Sequence, residues 1–169
     1  MLKKIFLLSS LFCLTSVFSV AESKPNKPAS FDWKTLVGPE LIDAAGKKVE
    51  LSTLDGKYVG IYCSAIWCPP CRKFTPELVK FVNANKDKFA VIFYSADRSA
   101  ADMKKYMKED KMPWAALPFQ SKNLSDEVKK NFGDGIPALV IFDSSGNQVD
   151  KIVGYSPNWK DKVSDIIKK

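Results

Sequence analysis

Cys68-Pro69-Pro70-Cys71 is the stretch of this chain whose residue types and spacing can carry chemistry unaided. Two cysteines three residues apart at the start of a helix lie one turn from each other. One sulfur can then attack a disulfide and the other can resolve the mixed disulfide that forms. The nucleophile is the thiolate, so the question is what would hold Cys68 as an anion. A helix N-terminus does so, because its first backbone N–H groups lack intrahelical acceptors and its dipole favours negative charge. The dipole supplies ~0.3–1 kcal/mol, occasionally ~2, or about one pKa unit. Deeper depression needs hydrogen bonds to the sulfur itself. Pro69 and Pro70 donate no N–H, but they stiffen the loop and favour helical φ.

A C-x-x-C pair is also half of a zinc site, which wants four Cys or His ligands. The chain has four cysteines and no histidine, and one of the cysteines, Cys13, lies in the leader discussed below. Metal binding is therefore not expected, and no bound cofactor is needed beside the dithiol. The absence of histidine also excludes a Ser-His-Asp triad and a Cys-His hydrolase pair.

The chain has 169 residues, 46% apolar and 27% charged, as for one ordinary soluble domain. Lys3 and Lys4 precede an apolar stretch from Ile5 to Leu14, and Ser19-Val20-Ala21 places small residues where a signal peptidase reads. Residues 1–21 are expected to be a signal peptide. The alternative, an uncleaved anchor, wants ~20 predominantly apolar residues, and this stretch is shorter and rich in hydroxyls. Cleavage after Ala21 leaves 148 residues and three cysteines, Cys63, Cys68 and Cys71. Three are too few for a disulfide framework in an exported protein, so a pair plus an odd thiol points to redox work. Residues 22–30 are polar, carry two prolines and read as a flexible leader; residues 31–169 read as one domain without repeats.

The elements that must position the dithiol follow from pattern. Leu41-Ile42-Asp43 and Lys48-Val49-Glu50-Leu51 flank Ala45-Gly46-Lys47, which predicts an N-terminal β-hairpin. Tyr58 to Ala65 lacks alternation, as a central strand buried on both faces would. Phe74, Leu78, Phe81 and Val82 recur at helical spacing, with Pro76 inside the helix as a candidate kink. Phe89 to Ser95 predicts a second buried strand. Ser99 caps a helix facing inward through Met103, Tyr106 and Met107, and Leu124, Val128 and Phe132 give a shorter one. Ala138 to Phe142 and Gln148 to Val153 form a hairpin around Asp143-Ser144-Ser145-Gly146. Ser156-Pro157 opens a last helix with Trp159, Val163, Ile166 and Ile167 on one face. Strands alternating with helices imply an α/β fold, a mixed sheet covered on both sides.

The stretch from Ser64 to Leu78 (SAIWCPPCRKFTPEL) resembles the active-site segment of the thioredoxin superfamily, in its tryparedoxin and nucleoredoxin branch. Tyr94 to Ser99, Met112 to Phe119 and Gly135 to Val140 resemble three further blocks of that branch, in order, over roughly Leu41 to Val153. The resemblance implies a thioredoxin fold in which Cys68 attacks and Cys71 resolves. It implies that Pro137 is cis and faces the cysteine pair, bringing the Ile136 backbone beside Cys68 to receive an extended substrate segment. Trp67, Pro69, Pro70 and Trp114 are then expected at the substrate-binding rim. Thioredoxins often carry a buried aspartate six residues before the first cysteine; Tyr62 stands there, leaving Asp97 as the acid candidate for proton transfer, or equally as a helix cap or turn residue. Cys63 stands where the branch usually has an aromatic and reads as a small core residue.

The expected function is an exported thiol–disulfide oxidoreductase, a reductase in a bacterial envelope. Its partners would be disulfide-bearing protein substrates and an upstream thiol donor, and it would work as a monomer. The reverse direction, an oxidase or isomerase, stays open, because C-P-P-C does not place the pair between ~−270 and ~−120 mV, a span of about 7 kcal/mol. A redox-inert binding module is the other alternative. The lysines behind the net charge of +7 fall mostly at helical solvent positions, and nucleic-acid binding is not expected without aromatic-basic interleaving.

Overall fold

The computed structural model describes residues 31–168, so the signal peptide and leader expected over 1–30 lie outside the described residues. The leading hairpin forms from β1 (Leu41–Ile42) and β2 (Lys48–Val49), paired antiparallel as Leu41 with Val49 and Ile42 with Lys48. The Asp43 carboxylate accepts the N–H groups of Ala45 and Lys47 and shapes the turn. The second arm is shorter than its sequence suggests. Leu51–Leu54 winds into a 3-10 turn that buries Leu54.

The longer elements fall where their patterns place them. They are β3 (Tyr58–Ser64), α2 (Pro69–Ala84), β4 (Phe89–Ser95), α3 (Ala100–Glu109), β6 (Ala138–Phe142), β7 (Gln148–Val153) and α5 (Trp159–Ile167). Helix α2 continues through Pro76, which lies on its exposed side. Ser99 caps α3 by accepting the Asp102 N–H at 3.0 Å, and Met103, Tyr106 and Met107 are buried as their spacing predicts. A one-turn helix α1 (Lys34–Val37) was not legible in the sequence. Helix α4 is only Asp126–Asn131, capped by Ser125, so Leu124 and Phe132 are buried at its ends rather than within it. Ser156 does not cap α5. Its hydroxyl pairs with the Asn158 side chain, and the helix begins at Trp159.

The strands form one mixed sheet in the order β2-β1-β5-β4-β3-β6-β7. The unexpected member is β5 (Ala115–Ala116), which pairs parallel with β4 through Ile92 and antiparallel with β1 through Ile42. Two alanines carry no alternation signal, yet they join the hairpin to the sheet. Central β3 runs parallel to β4 and antiparallel to β6, and is buried after its first residue. Gly60 lies where a Cβ would come within 2.7 Å of Leu139 Cδ1 and 2.9 Å of Phe89 Cζ. One core, with Tyr62, Phe74, Phe89, Phe93, Tyr106 and Trp159, lies under α2, α3 and α5. The other, with Trp33, Leu41, Ile61, Cys63, Ile92 and Val140, faces α1 and α4.

Candidate active site

Strand β3 leaves the sheet at Ser64 and delivers Ala65-Ile66-Trp67 to the first turn of α2. Cys68 is the N-cap residue, with extended φ and ψ (−95°, 110°), and its N–H closes the preceding turn on Ala65 O at 3.2 Å. Its sulfur accepts the backbone N–H of Cys71 at 3.3 Å. The two prolines explain why this donor matters: Pro69 and Pro70 have no N–H, so Cys71 supplies the first amide of the helix that can reach the sulfur. Cys68 and Cys71 form a disulfide with Cα atoms 5.2 Å apart, within the ordinary range. Cys71 is fully buried, whereas Cys68 keeps 4% of its surface open, which makes Cys68 the sulfur an incoming disulfide meets.

The Ile136–Pro137 peptide bond is cis. The Ile136 carbonyl oxygen lies 3.6 Å from Cys68 Sγ, and Ile136, Ala65 and Ala96 pack around the cysteine pair. Trp67 is 50% exposed beside the nucleophile. Its indole N–H donates to Ala96 O at 3.3 Å, and the Arg98 guanidinium sits 5.9 Å from its ring centroid. Pro69 and Pro70 are exposed on the same rim.

Trp114 is not on that rim. It is buried, edge-on to Tyr62 at 6.3 Å, and walls a separate cleft near the other end of the sheet. Its position beside short β5, not its residue type, decides this. Its indole N–H is buried without an acceptor among the described residues, a condition that costs ~1–3 kcal/mol. Asp97 also has an assigned task. Its Oδ1 accepts the Ile66 N–H at 2.7 Å, its Oδ2 accepts the Ser95 hydroxyl at 2.7 Å, and it ties the cysteine loop to the end of β4. Cys63 belongs to the core facing α1 and α4, where burial pushes its thiol up to about 12.

Beneath the dithiol lies a feature that the sequence did not reveal. Tyr62 Oη pairs with Thr75 Oγ1 at 2.8 Å, Thr75 pairs with Tyr106 Oη, and Tyr106 pairs with Ser64 Oγ at 3.0 Å. These four hydroxyls come from β3, α2 and α3, so no local spacing announces them. Burial pushes the Tyr62 and Tyr106 phenols above their ordinary range, and the chain stays neutral. Arg72, the residue after Cys71, stacks 5.2 Å over the Tyr106 ring and pairs with Asp110 at 3.0 Å, clamping α2 to α3. Among the described residues no cluster of three or more Cys, Asp or Glu is placed to hold a metal ion.

The arrangement can store two electrons in a dithiol and present one sulfur to a disulfide. Comparison with known proteins agrees. A Thioredoxin-like family model matches residues 56–148. Bovine (Bos taurus) nucleoredoxin is 38% identical over 122 residues, 70% of this chain but 27% of that protein, so the chain spans about a quarter of the nucleoredoxins it matches. Tryparedoxin of Trypanosoma brucei brucei is 39% identical over 114 residues, 66% of this chain and 78% of that one. The solved structure of tryparedoxin II from C. fasciculata is 41% identical, covers 66% of this chain and 74% of its own, and superposes with a TM-score of 0.58.

Proposed function

The chain belongs to the thioredoxin-like family of thiol–disulfide oxidoreductases, and from that premise we propose that it reduces disulfides of exported proteins in a cell envelope. The observation that carries the reading is the seat of Cys68 Sγ: an N-cap sulfur that accepts the Cys71 N–H and faces the Ile136 backbone. Export rests on the Lys3-Lys4 leader and its Ser19-Val20-Ala21 terminus.

In the reduced protein the Cys68 thiolate attacks one sulfur of a substrate disulfide. The Cys68–substrate bond forms, the substrate S–S bond breaks, and the departing sulfur leaves as a thiolate that takes a proton from water. Cys71 then loses its proton to solvent and attacks Cys68 Sγ. The second substrate thiol departs, and the Cys68–Cys71 disulfide remains. Two electrons have passed to the substrate, and an upstream dithiol returns them by the reverse exchange. The substrate segment lies extended against Ile136, between Trp67 and the two prolines, so backbone pairing supplies affinity without demanding one sequence.

Cys71→Ser tests this directly, because it leaves the attacking sulfur without a resolving partner. Envelope fractions are expected to accumulate mixed disulfides through Cys68, and none in the additional absence of Cys68. Equilibration with glutathione tests direction: a potential above about −150 mV would make the protein an oxidant and overturn the reductase reading.

A further inference from the structure

The sheet has a second concave site near the end away from the dithiol. Strands β3 and β4 run in register from Tyr58 and Phe89 to Ser64 and Ser95. The start of β4 is therefore roughly 15–20 Å from the strand ends that carry the cysteine loop. There the hairpin, the C-terminal end of α2, the first residues of β4 and the segment before β5 enclose a cleft of about 650 Å³. That volume lies in the ~300–1,000 Å³ range of small-molecule sites. Its deeper walls are Val82, Phe89, Met112 and Trp114, all buried in the core under α2.

The charges at this cleft are not balanced. Lys57, before β3, and Lys86, after α2, both line it, and neither makes an ion pair among the described residues. The one acid of the lining, Asp43, has its carboxylate engaged by the amides of its own turn. The wall residue Trp114 has an indole N–H that lacks an acceptor. Apolar walls, two uncommitted cations and an unmet donor describe a ligand with an apolar body and an anionic, acceptor-bearing head.

We propose that this cleft binds a small amphiphilic monocarboxylate, an aryl or medium-chain alkyl acid, with its apolar body against Val82, Phe89, Met112 and Trp114 and its carboxylate between Lys57 and Lys86. The site is independent of thiol exchange at Cys68.

Calorimetric titration of the oxidised full chain with 2-naphthoate, decanoate and the neutral 2-naphthamide tests this. The two acids are expected to bind saturably, one per chain, and the amide at least 10-fold more weakly, a difference of about 1.4 kcal/mol. The double variant Lys57→Gln/Lys86→Gln, on the surface and outside the core, is expected to bring the acids down to the amide. Asn83→Phe, at an exposed lining position of α2, crowds the cleft and is expected to weaken all three ligands. Cys68→Ser/Cys71→Ser is expected to bind as the parent does. The proposal falls if the acids do not saturate at millimolar ligand, if the lysine variant binds them unchanged, or if binding disappears with the cysteines. Failure of the disulfide-reductase reading would leave these titrations unaltered, so the two can fail separately.

Discussion

Replacing Asp97 with asparagine separates two roles that its place beside the cysteine loop allows. The carboxylate accepts the Ile66 N–H through one oxygen and the Ser95 hydroxyl through the other, both at 2.7 Å, and the residue is 9% exposed. Asparagine keeps one carbonyl oxygen for Ile66 but exchanges a charge-assisted bond for a neutral one, at a cost of about 1 kcal/mol. Alanine leaves a buried amide and a hydroxyl without acceptors, about 3 kcal/mol together. For a domain of this size 1 kcal/mol moves the melting temperature by about 3–5 °C, so Asp97→Asn is expected to lose about 3–5 °C and Asp97→Ala about 10–15 °C. If the residue only fastens the loop, Asp97→Asn keeps disulfide reduction within about threefold of the parent, with the same pH profile. A proton carrier would instead cost ~10²–10⁴-fold and remove one ionisation from the profile. Thermal unfolding by circular dichroism and reduction of a model disulfide between pH 5 and 9 supply both readouts. An Asp97→Asn protein that melts within a few degrees of the parent but turns over a hundredfold more slowly would refute the fastening role.

Other outcomes follow from the packing. With its thiol pushed up to about 12 by burial, Cys63 is about one part in ten thousand thiolate at pH 8. Iodoacetamide on the reduced native protein is therefore expected to label Cys68 and spare Cys63 in a peptide map, and comparable labelling rates would contradict the core role. Gly60→Ala forces a Cβ against Leu139 and Phe89 in the central strand and is expected to cost ~1–3 kcal/mol in denaturant unfolding, with Cys68 reactivity intact. The Lys160 ammonium and the Tyr155 hydroxyl hold the Glu77 carboxyl below its usual range. A depressed carboxyl adds stability above its unfolded value and loses it as pH falls through the folded one. Glu77→Gln should thus melt slightly lower at pH 7, by under ~1 kcal/mol for so exposed a pair, and converge with the parent in acid.

Much of the architecture was legible because its causes are local. The apolar spacing in α2 and α3, the Ser99 cap and the unbroken runs of β3 and β4 each record a preference that neighbouring residues enforce on one another. The misreadings share the opposite character. β5 exists because Ile92 and Ile42 flank two unremarkable alanines, and Ser156 fails as a cap because Asn158 takes its hydroxyl. Trp114 was expected at the substrate rim by likeness to relatives, and the register of β5 carries it to the other cleft.

By itself the sequence determined the chemistry. Two thiols three residues apart, a helix mouth to hold one of them, prolines that leave the Cys71 amide as the donor, and no histidine for any other route are all near-neighbour facts. Only the tertiary structure decided what surrounds that sulfur. Ile136 stands beside Cys68 across 68 residues of chain, Asp97 reaches Ile66 across 31, and Tyr106 meets Ser64 across 42. Such contacts depend on strand order and register, set by the packing of both sheet faces at once, and no local window of residues contains that information.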